Sequence, residues 1–162
     1  MAAGLSLEEK NVDIFRRQIN DLCPPECRNL MEKVKIDVPM PVDYVTMDLV
    51  RELHVLEPFG KGNPRPVFAD RNLSIQRMWI VGKNKNVLRL TLISSYGNTI
   101  AAIYFGNIVQ FQNYLAEKFG SAEVGAAFHG KGNLIRISVI YNPKINSYRN
   151  TESLQFEIIS YK

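Results

Sequence analysis

The chain has 162 residues, of which 46% are hydrophobic and 22% charged, a composition typical of a folded domain and not of a disordered chain. No apolar run approaches the roughly 18 residues of a membrane helix, and no secretory signal is visible, so we expect a cytoplasmic protein without a membrane partner. Residues 1–57 carry 7 Lys/Arg and 11 Asp/Glu, whereas residues 58–162 carry 13 and 5. The basic part is therefore the one expected to meet a polyanion.

A first helix is predicted near the N-terminus. Ser6 and Glu9 have the spacing of a capping box, and apolar residues at helical spacing follow until Pro24 and Pro25 end the helix. The two cysteines, Cys23 and Cys27, lack the further ligands that a zinc site needs. We expect both to remain reduced thiols.

A strand and a second helix are predicted next. Residues 34–38 alternate between apolar and polar side chains, as in a short strand. Thr46 is the predicted N-cap of the helix, which ends before Pro58. Its apolar stripe consists of Leu49, Leu53 and Leu56. The first 57 residues thus predict a helix-strand-helix segment.

The remainder of the chain is rich in β-forming residues. Five predicted strands cover residues 73–81, 87–94, 99–105, 134–141 and 154–159, with turns that include residues 142–144. A helix is predicted over residues 109–119, and the Gly-rich residues 125–133 predict a flexible loop. Three strands, a helix and two strands follow the order of an OB-fold. The predicted fold is mainly β: a five-stranded OB-fold-like barrel after a short α/β part.

Alternation along the strands predicts which side chains reach solvent. It turns Arg89 and Arg136 outward from the middle of two strands, and Tyr96 and Tyr148 fall in predicted turns. Trp79 is either a stacking platform for a base or, as large aromatics more often are, a core residue. The candidate nucleic-acid contacts are Arg77, Trp79, Lys83, Lys85, Arg89, Tyr96, Arg136, Lys144, Tyr148 and Arg149. No catalytic constellation and no metal-ligand spacing stand out.

A Pro/Gly-rich segment lies between the two parts. Residues 56–68 read Leu-Glu-Pro-Phe-Gly-Lys-Gly-Asn-Pro-Arg-Pro-Val-Phe, which is incompatible with a helix or a central strand and predicts a shaped linker. Its motif residues are Pro58, Phe59, Gly60, Gly62, Asn63, Pro64, Pro66 and Phe68. This segment resembles the L-x-P-F-G-x-G-N-P-x-P-x-F signature of RecJ single-strand-specific exonucleases. Two weaker similarities fall at Ala2-Ala3-Gly4 and at residues 145–158.

The resemblance implies a division of the chain. Residues 1–57 correspond to the end of a DHH-associated α/β domain, residues 58–68 to the linker and residues 69–162 to an OB-fold-like barrel. The family cleaves DNA with metal ions held in an N-terminal DHH domain, which nothing in this chain matches. We therefore expect the C-terminal region of a longer exonuclease, with no cofactor of its own; Mg or Mn belongs to the catalytic domain.

Two functions from different classes remain open on the sequence. The first is binding of single-stranded DNA, so that the strand is positioned for the DHH domain of the same parent chain. The second is an interaction module that packs on a catalytic core or a partner protein and does not contact nucleic acid. A third alternative, a complete small nuclease, requires metal-dependent cleavage by this chain alone.

Overall fold

The computed structural model describes residues 4–24, 34–148 and 150–162. The chain divides into two compact units, Met1–Val34 and Lys35–Lys162. Ala2, Ala3, Pro25, Cys27 and Arg149, which the sequence interpretation singled out, lie outside the described residues. Among the described residues, no helix is long and apolar enough to cross a membrane.

The first unit contains a 3-10 turn, Glu9–Asn11, and helix α1, Val12–Leu22. The predicted capping box is wrong: Ser6 lies ahead of the turn, and neither Glu8 nor Asn11, the N-caps of the two elements, makes a side-chain capping bond. The helix begins later than the spacing of Ser6 and Glu9 indicated. The thiol of Cys23 is free, with no disulfide.

The second unit opens with short elements. Strand β1, Val38–Pro39, is followed by a 3-10 turn, Val42–Tyr44, helix α2, Met47–Glu52, and a 3-10 turn, Leu53–Leu56. The strand predicted over residues 34–38 is thus only a two-residue parallel pairing with the next strand. The helix prediction is confirmed, because Thr46 Oγ1 accepts a hydrogen bond from the backbone N–H of Leu49 at 3.1 Å.

The α2 segment packs on the same core as the sheet. Val42, Val45 and Val50 are buried within the hydrophobic cluster that the strands form. Residues 35–57 therefore belong to one compact unit with residues 69–162, whereas the domain boundary drawn from the sequence lies at residue 57. The assignment of residues 1–57 to a DHH-associated domain stays a prediction.

Five longer strands form the body of the unit: β2, Phe68–Val81; β3, Val87–Ile93; β4, Thr99–Tyr104; β5, Arg136–Tyr148; and β6, Thr151–Tyr161. The sheet order is β1-β2-β3-β4-β6-β5, and β5 also pairs with β2, so the five strands form a ring. Only the β1–β2 and β4–β6 pairings are parallel in the described sheet. This topology confirms the predicted OB-like fold.

Two helices connect β4 to β5. Helix α3, Ile108–Phe119, confirms the predicted helix and is capped by Asn107, whose Oδ1 accepts from the N–H of Gln110 at 3.0 Å. Helix α4, Ser121–Phe128, was not predicted, and the flexible loop expected over residues 125–133 is wrong for its first four residues. Gly120 separates the helices at a φ of 94°, a backbone conformation that favours glycine.

The core follows the predicted alternation. Leu88, Leu90 and Leu92 of β3 are at most 1% exposed. The predicted inward residues of the last two strands are buried as well, except Leu154, which is only partly buried. Phe111 of α3 is fully buried beside Tyr104 and Tyr161, with ring centroids 5.4 Å and 4.5 Å away. These three aromatic rings pack against one another in one part of the core.

The turn predicted at residues 142–144 is wrong. Asn142, Pro143 and Lys144 lie inside β5 and pair with residues of β6, and the chain reverses only after Tyr148, which pairs with Thr151. A register shift near Ile140 and Tyr141 precedes the proline. The β5–β6 hairpin is therefore longer than the sequence indicated.

Alkaline pH is expected to destabilise the core through its tyrosines. Burial first, and then the neighbouring Tyr104, raises the pKa of Tyr161 from 10.0 to about 12. Burial, with Asp70 and Asp43, also raises the pKa of Tyr141. The folded state keeps these protons where the unfolded chain would lose them, so this stabilisation is complete below pH 10 and is lost as the pH rises toward the folded pKa.

We therefore expect the free energy of unfolding to fall from pH 10 upward, and to fall less in Tyr161→Phe, which removes one of the titrating groups. Urea unfolding at pH 8, 10 and 11 measures both slopes. The same slope in the variant and in the unchanged protein would contradict the assignment to Tyr161.

Candidate nucleic-acid interface

The outer face of strands β2 and β3 carries an aromatic residue between cations. Trp79 pairs in register with Arg89, and Arg77 with Thr91. Arg77 and Arg89 are exposed, and Trp79 is half-buried. We call Arg77, Trp79, Lys83, Lys85 and Arg89 the basic face.

A β-bulge decides which way these side chains point. The register of β2 against β3 shifts between Ile75 and Arg77, which leaves Gln76 as the extra residue. Simple alternation from the buried Ile75 would turn Arg77 and Trp79 inward. Because the bulge inserts one residue, the fully buried side chain is that of Met78, and Trp79 lies on the outer face. Trp79 is therefore not a fully buried core residue, and its role as a stacking platform stays a prediction.

Arg77 and Trp79 contact each other. The guanidinium carbon of Arg77 lies 5.5 Å from the centroid of the indole ring, within the range of a cation–π interaction. This contact holds a positive charge next to a flat aromatic surface. A nucleotide needs both features, because its phosphate is anionic and its base stacks.

Lys83 and Lys85 lie in the turn between β2 and β3. Both are exposed, and the N–H of Lys85 donates to the carbonyl of Gly82 at 3.0 Å. Residues 71–116 contain five Lys/Arg and no Asp/Glu. Within the described residues, none of the four cations of the basic face forms a salt bridge. Their charge is available to an anionic ligand.

Arg136 borders the basic face. It is exposed at the start of β5 and pairs with Ser74 of β2, which precedes the bulge. The predicted residues Arg77, Trp79, Lys83, Lys85, Arg89 and Arg136 are thus carried by one side of three neighbouring strands and their connecting turn.

The Pro/Gly-rich linker lies against another part of the barrel. Asn63 holds it in shape, since its Nδ2 donates to the carbonyls of Leu56 at 2.7 Å and Pro58 at 3.1 Å. Arg65 lies over the ring of Phe59, 4.7 Å from its centroid. A cleft of about 610 Å³ separates this segment and α2 from the β5–β6 hairpin. It is lined by Val50, Arg51, Leu53, His54, Glu57, Phe59, Arg65, Pro66, Pro143, Lys144, Ile145, Ser147 and Glu152.

The family model described as RecJ OB domain matches residues 36–160. This chain belongs to the RecJ OB domain family. The single-stranded-DNA-specific exonuclease RecJ of Bacillus subtilis (strain 168) is 26% identical over 94 residues, which are 57% of this chain and 12% of that protein. The chain therefore spans about an eighth of the curated relative that it matches.

Two solved structures share the fold of this RecJ OB domain. Crystal structures of RecJ from Thermus thermophilus, in complex with Mg²⁺ and with Mn²⁺, have TM-scores of 0.55 and 0.56 at 15% identity. Each match covers 97% of this chain, and 21% and 20% of the respective structures. Among the described residues of this chain, no group of three or more His, Cys, Asp or Glu side chains could hold a metal ion.

Of the predicted contact residues of this RecJ OB domain, three lie apart from the basic face, and a fourth lies outside the residues that the structure describes. Lys144 forms a salt bridge with Glu157 of β6. Tyr96 lies in the β3–β4 turn, where a hydrogen bond to Tyr44 raises its pKa. Tyr148 is exposed at the end of β5. The fourth, Arg149, is among the undescribed residues.

The sequence interpretation missed the contact between Arg77 and the segment that follows α4. Gly130 lies against the aliphatic part of Arg77, so that a Cβ at this position would be 3.3 Å from Arg77 Cδ. The Gly-Lys-Gly spacing of residues 130–132 is the only local signal, and it was interpreted as a loop. Contact with a residue more than 50 positions earlier has no local signature.

Proposed function

We propose that this RecJ OB domain binds single-stranded DNA through the basic face. The proposal rests on one observation: the half-buried Trp79 lies between exposed cations on the outer surface of β2 and β3. Among the described residues, these cations form no salt bridge. OB-folds use the face of their second and third strands and adjoining loops for oligonucleotides. Here those strands are β3, which carries Arg89, and β4; the first adjoining loop carries Lys83 and Lys85, whereas Arg77 and Trp79 lie on the neighbouring strand β2.

Each part of the face has a separate task in this proposal. Arg77, Arg89 and the two lysines contact backbone phosphates, which determines position and affinity but not sequence preference. Trp79 stacks on a base, a contact that is worth about 1–3 kcal/mol and accepts any base. The expected binding is therefore sequence-tolerant and sensitive to salt.

In a complete RecJ protein, we propose, the domain positions the strand for a metal-dependent DHH domain of the same chain. The relatives are named RecJ and are several times longer than the part matched here. Mg²⁺ or Mn²⁺ and the bond-breaking step belong to that other domain. The described residues contribute strand binding and orientation.

A salt titration with a labelled oligonucleotide tests the proposal. Four phosphate contacts predict a slope of roughly −3 in log K against log salt for single-stranded DNA, which is a loss of about 50-fold in affinity between 50 and 200 mM salt. Quenching of Trp79, the single tryptophan, should accompany binding if a base stacks on it. Absent binding, or affinity independent of salt, would contradict the proposal.

The cleft beside the linker favours a second candidate function. Its apolar side chains, such as Phe59 and Ile145, lie beside Arg65, which forms no salt bridge with a residue that the structure describes. Such a mixed surface suits a protein partner. In this alternative the domain packs on the catalytic part of a RecJ chain without touching DNA. Charge reversal at Lys83, Lys85 and Arg89 distinguishes the two, since unchanged DNA affinity would favour the alternative.

A further inference from the structure

The segment that joins α4 to β5 is held by backbone hydrogen bonds. The N–H groups of Gly130 and Lys131 donate to the carbonyls of Ala127 at 3.2 Å and Ala126 at 2.9 Å. With Gly130 at a φ of 65°, these two bonds form a Schellman motif at the end of α4. The path of the chain after the helix is therefore set by hydrogen bonds.

This connection also holds the β-bulge of β2. Asn133 Nδ2 donates to the carbonyl of Ile75 at 2.9 Å, and its Oδ1 accepts from the N–H of Ile135 at 3.1 Å. The N–H of Ile75 in turn donates to the carbonyl of Ile135 at 3.1 Å. Asn133 thus satisfies the backbone just ahead of the extra residue, Gln76, which a bulge leaves without a ladder partner.

Gly130 lies next to Arg77, the first residue after the bulge. A Cβ on Gly130 would lie 3.3 Å from Cδ of Arg77 and 3.6 Å from its Cγ and Nε. Because Gly130 has no side chain, its Cα can lie against the aliphatic part of the Arg77 side chain, whose guanidinium lies over Trp79. Lys131 is the next residue, is exposed, and forms no salt bridge within the described chain.

We propose that Gly130, Lys131 and Asn133 of the α4–β5 connection are a further part of the strand-binding surface. Gly130 and Asn133 are positioning residues that hold Arg77 over Trp79, and Lys131 contacts a phosphate of the bound strand. The proposal rests on the proposed function and extends the binding surface from the strands of the barrel to the α4–β5 connection. It adds one cation to the four of the basic face.

Glycine variants test the positioning role. Gly130→Asn keeps a residue type that tolerates positive φ but places a Cβ against Arg77, whereas Gly130→Ala adds backbone strain to the same contact. Gly132→Ala is the matched control, because a Cβ there meets nothing within 4 Å. We expect both Gly130 variants to change the fluorescence emission of Trp79 in the free protein and to weaken oligonucleotide binding about 3- to 10-fold. The slope of the salt dependence should not change, because no cation is lost. Gly132→Ala should resemble the unchanged protein.

Lys131→Ala tests the contact. It should weaken binding about fivefold and reduce the steepness of the salt dependence by about 0.7, the value of one phosphate contact to a single strand. Trp79 emission of the free protein should not change in this variant.

The outcomes separate this inference from the proposed function. If the unchanged protein binds in a salt-dependent way but the Gly130 and Lys131 variants match it within twofold, the inference is overturned and the basic face stands. If the unchanged protein binds no DNA, the proposed function fails and the role of Lys131 fails with it. Trp79 emission in the Gly130 variants then decides the positioning role: unchanged emission overturns it, and a change confined to those variants supports it.

Discussion

Replacing Arg77 and Arg89 together by alanine is expected to weaken oligonucleotide binding about a hundredfold at low salt. Each guanidinium is exposed on the face of β2 and β3 and forms no salt bridge with a described residue, so that each is free to contact a phosphate. A hydrogen bond to a charged group contributes about 1.5 kcal/mol, which corresponds to roughly tenfold per contact. Fluorescence anisotropy with a labelled oligonucleotide measures the loss, and the salt slope should decrease by about 1.4.

A double variant at Lys35 and Lys61 is the control for this loss. These two exposed lysines precede β2, and their replacement by alanine removes the same charge from elsewhere in the unit. We expect a change in affinity of less than threefold, because only general attraction is reduced. Equal losses in the two double variants would show that net charge, and not the basic face, binds the strand.

Replacing Phe111 by alanine is expected to produce the largest loss of stability. The ring is fully buried at the contact between α3 and the barrel, against Tyr104 and Tyr161. Removing a buried phenylalanine side chain costs about 3–5 kcal/mol, since the transfer free energy is lost and a cavity remains. Urea unfolding should show this decrease in the free energy of unfolding, and Phe111→Leu should give a smaller one.

Val109→Ala is the matched control in the same helix. Val109 is 64% exposed, so that its truncation should change the free energy of unfolding by no more than about 0.5 kcal/mol. A loss in Phe111→Ala as small as that of the control would mean that α3 does not seal the core as the structure shows.

The strands were predictable because their periodicity is strong. Leu88, Leu90 and Leu92 alternate with polar or smaller residues, and all three are buried as expected. The helix over residues 109–119 was predicted from the spacing of Val109, Tyr114, Leu115 and Phe119. Its buried face consists of Ile108, Phe111 and Leu115, whereas Val109 is exposed. The order of these elements was sufficient to indicate an OB-like fold.

Irregular features of the sheet were not predictable. Nothing around Gln76 marks the bulge, yet this one residue decides that Arg77 and Trp79 face outward. Pro143 indicated a turn, whereas it lies in β5 opposite Phe156 in the long β5–β6 hairpin. In both cases the outcome depends on pairing with a strand distant in sequence, which local preference does not report.

The candidate site was predictable in type but only partly in its membership. Net positive charge and one tryptophan indicated a nucleic-acid surface, and the strand pairing gathers Arg77, Trp79 and Arg89. Lys144 belongs instead to a salt bridge with Glu157, because their strands β5 and β6 are neighbours in the sheet. Charge composition does not distinguish a free cation from a paired one.

The place of β6 in the ring has a consequence for synthesis of the chain. This strand fills the gap between β4 and β5, and pairs with both. While residues 151–161 are still inside the ribosome, β4 and the later half of β5 have backbone groups without partners. Open edges of this kind recruit strands from other nascent chains. Truncations that remove this last strand should therefore accumulate as aggregates, even though every residue of the basic face is still present.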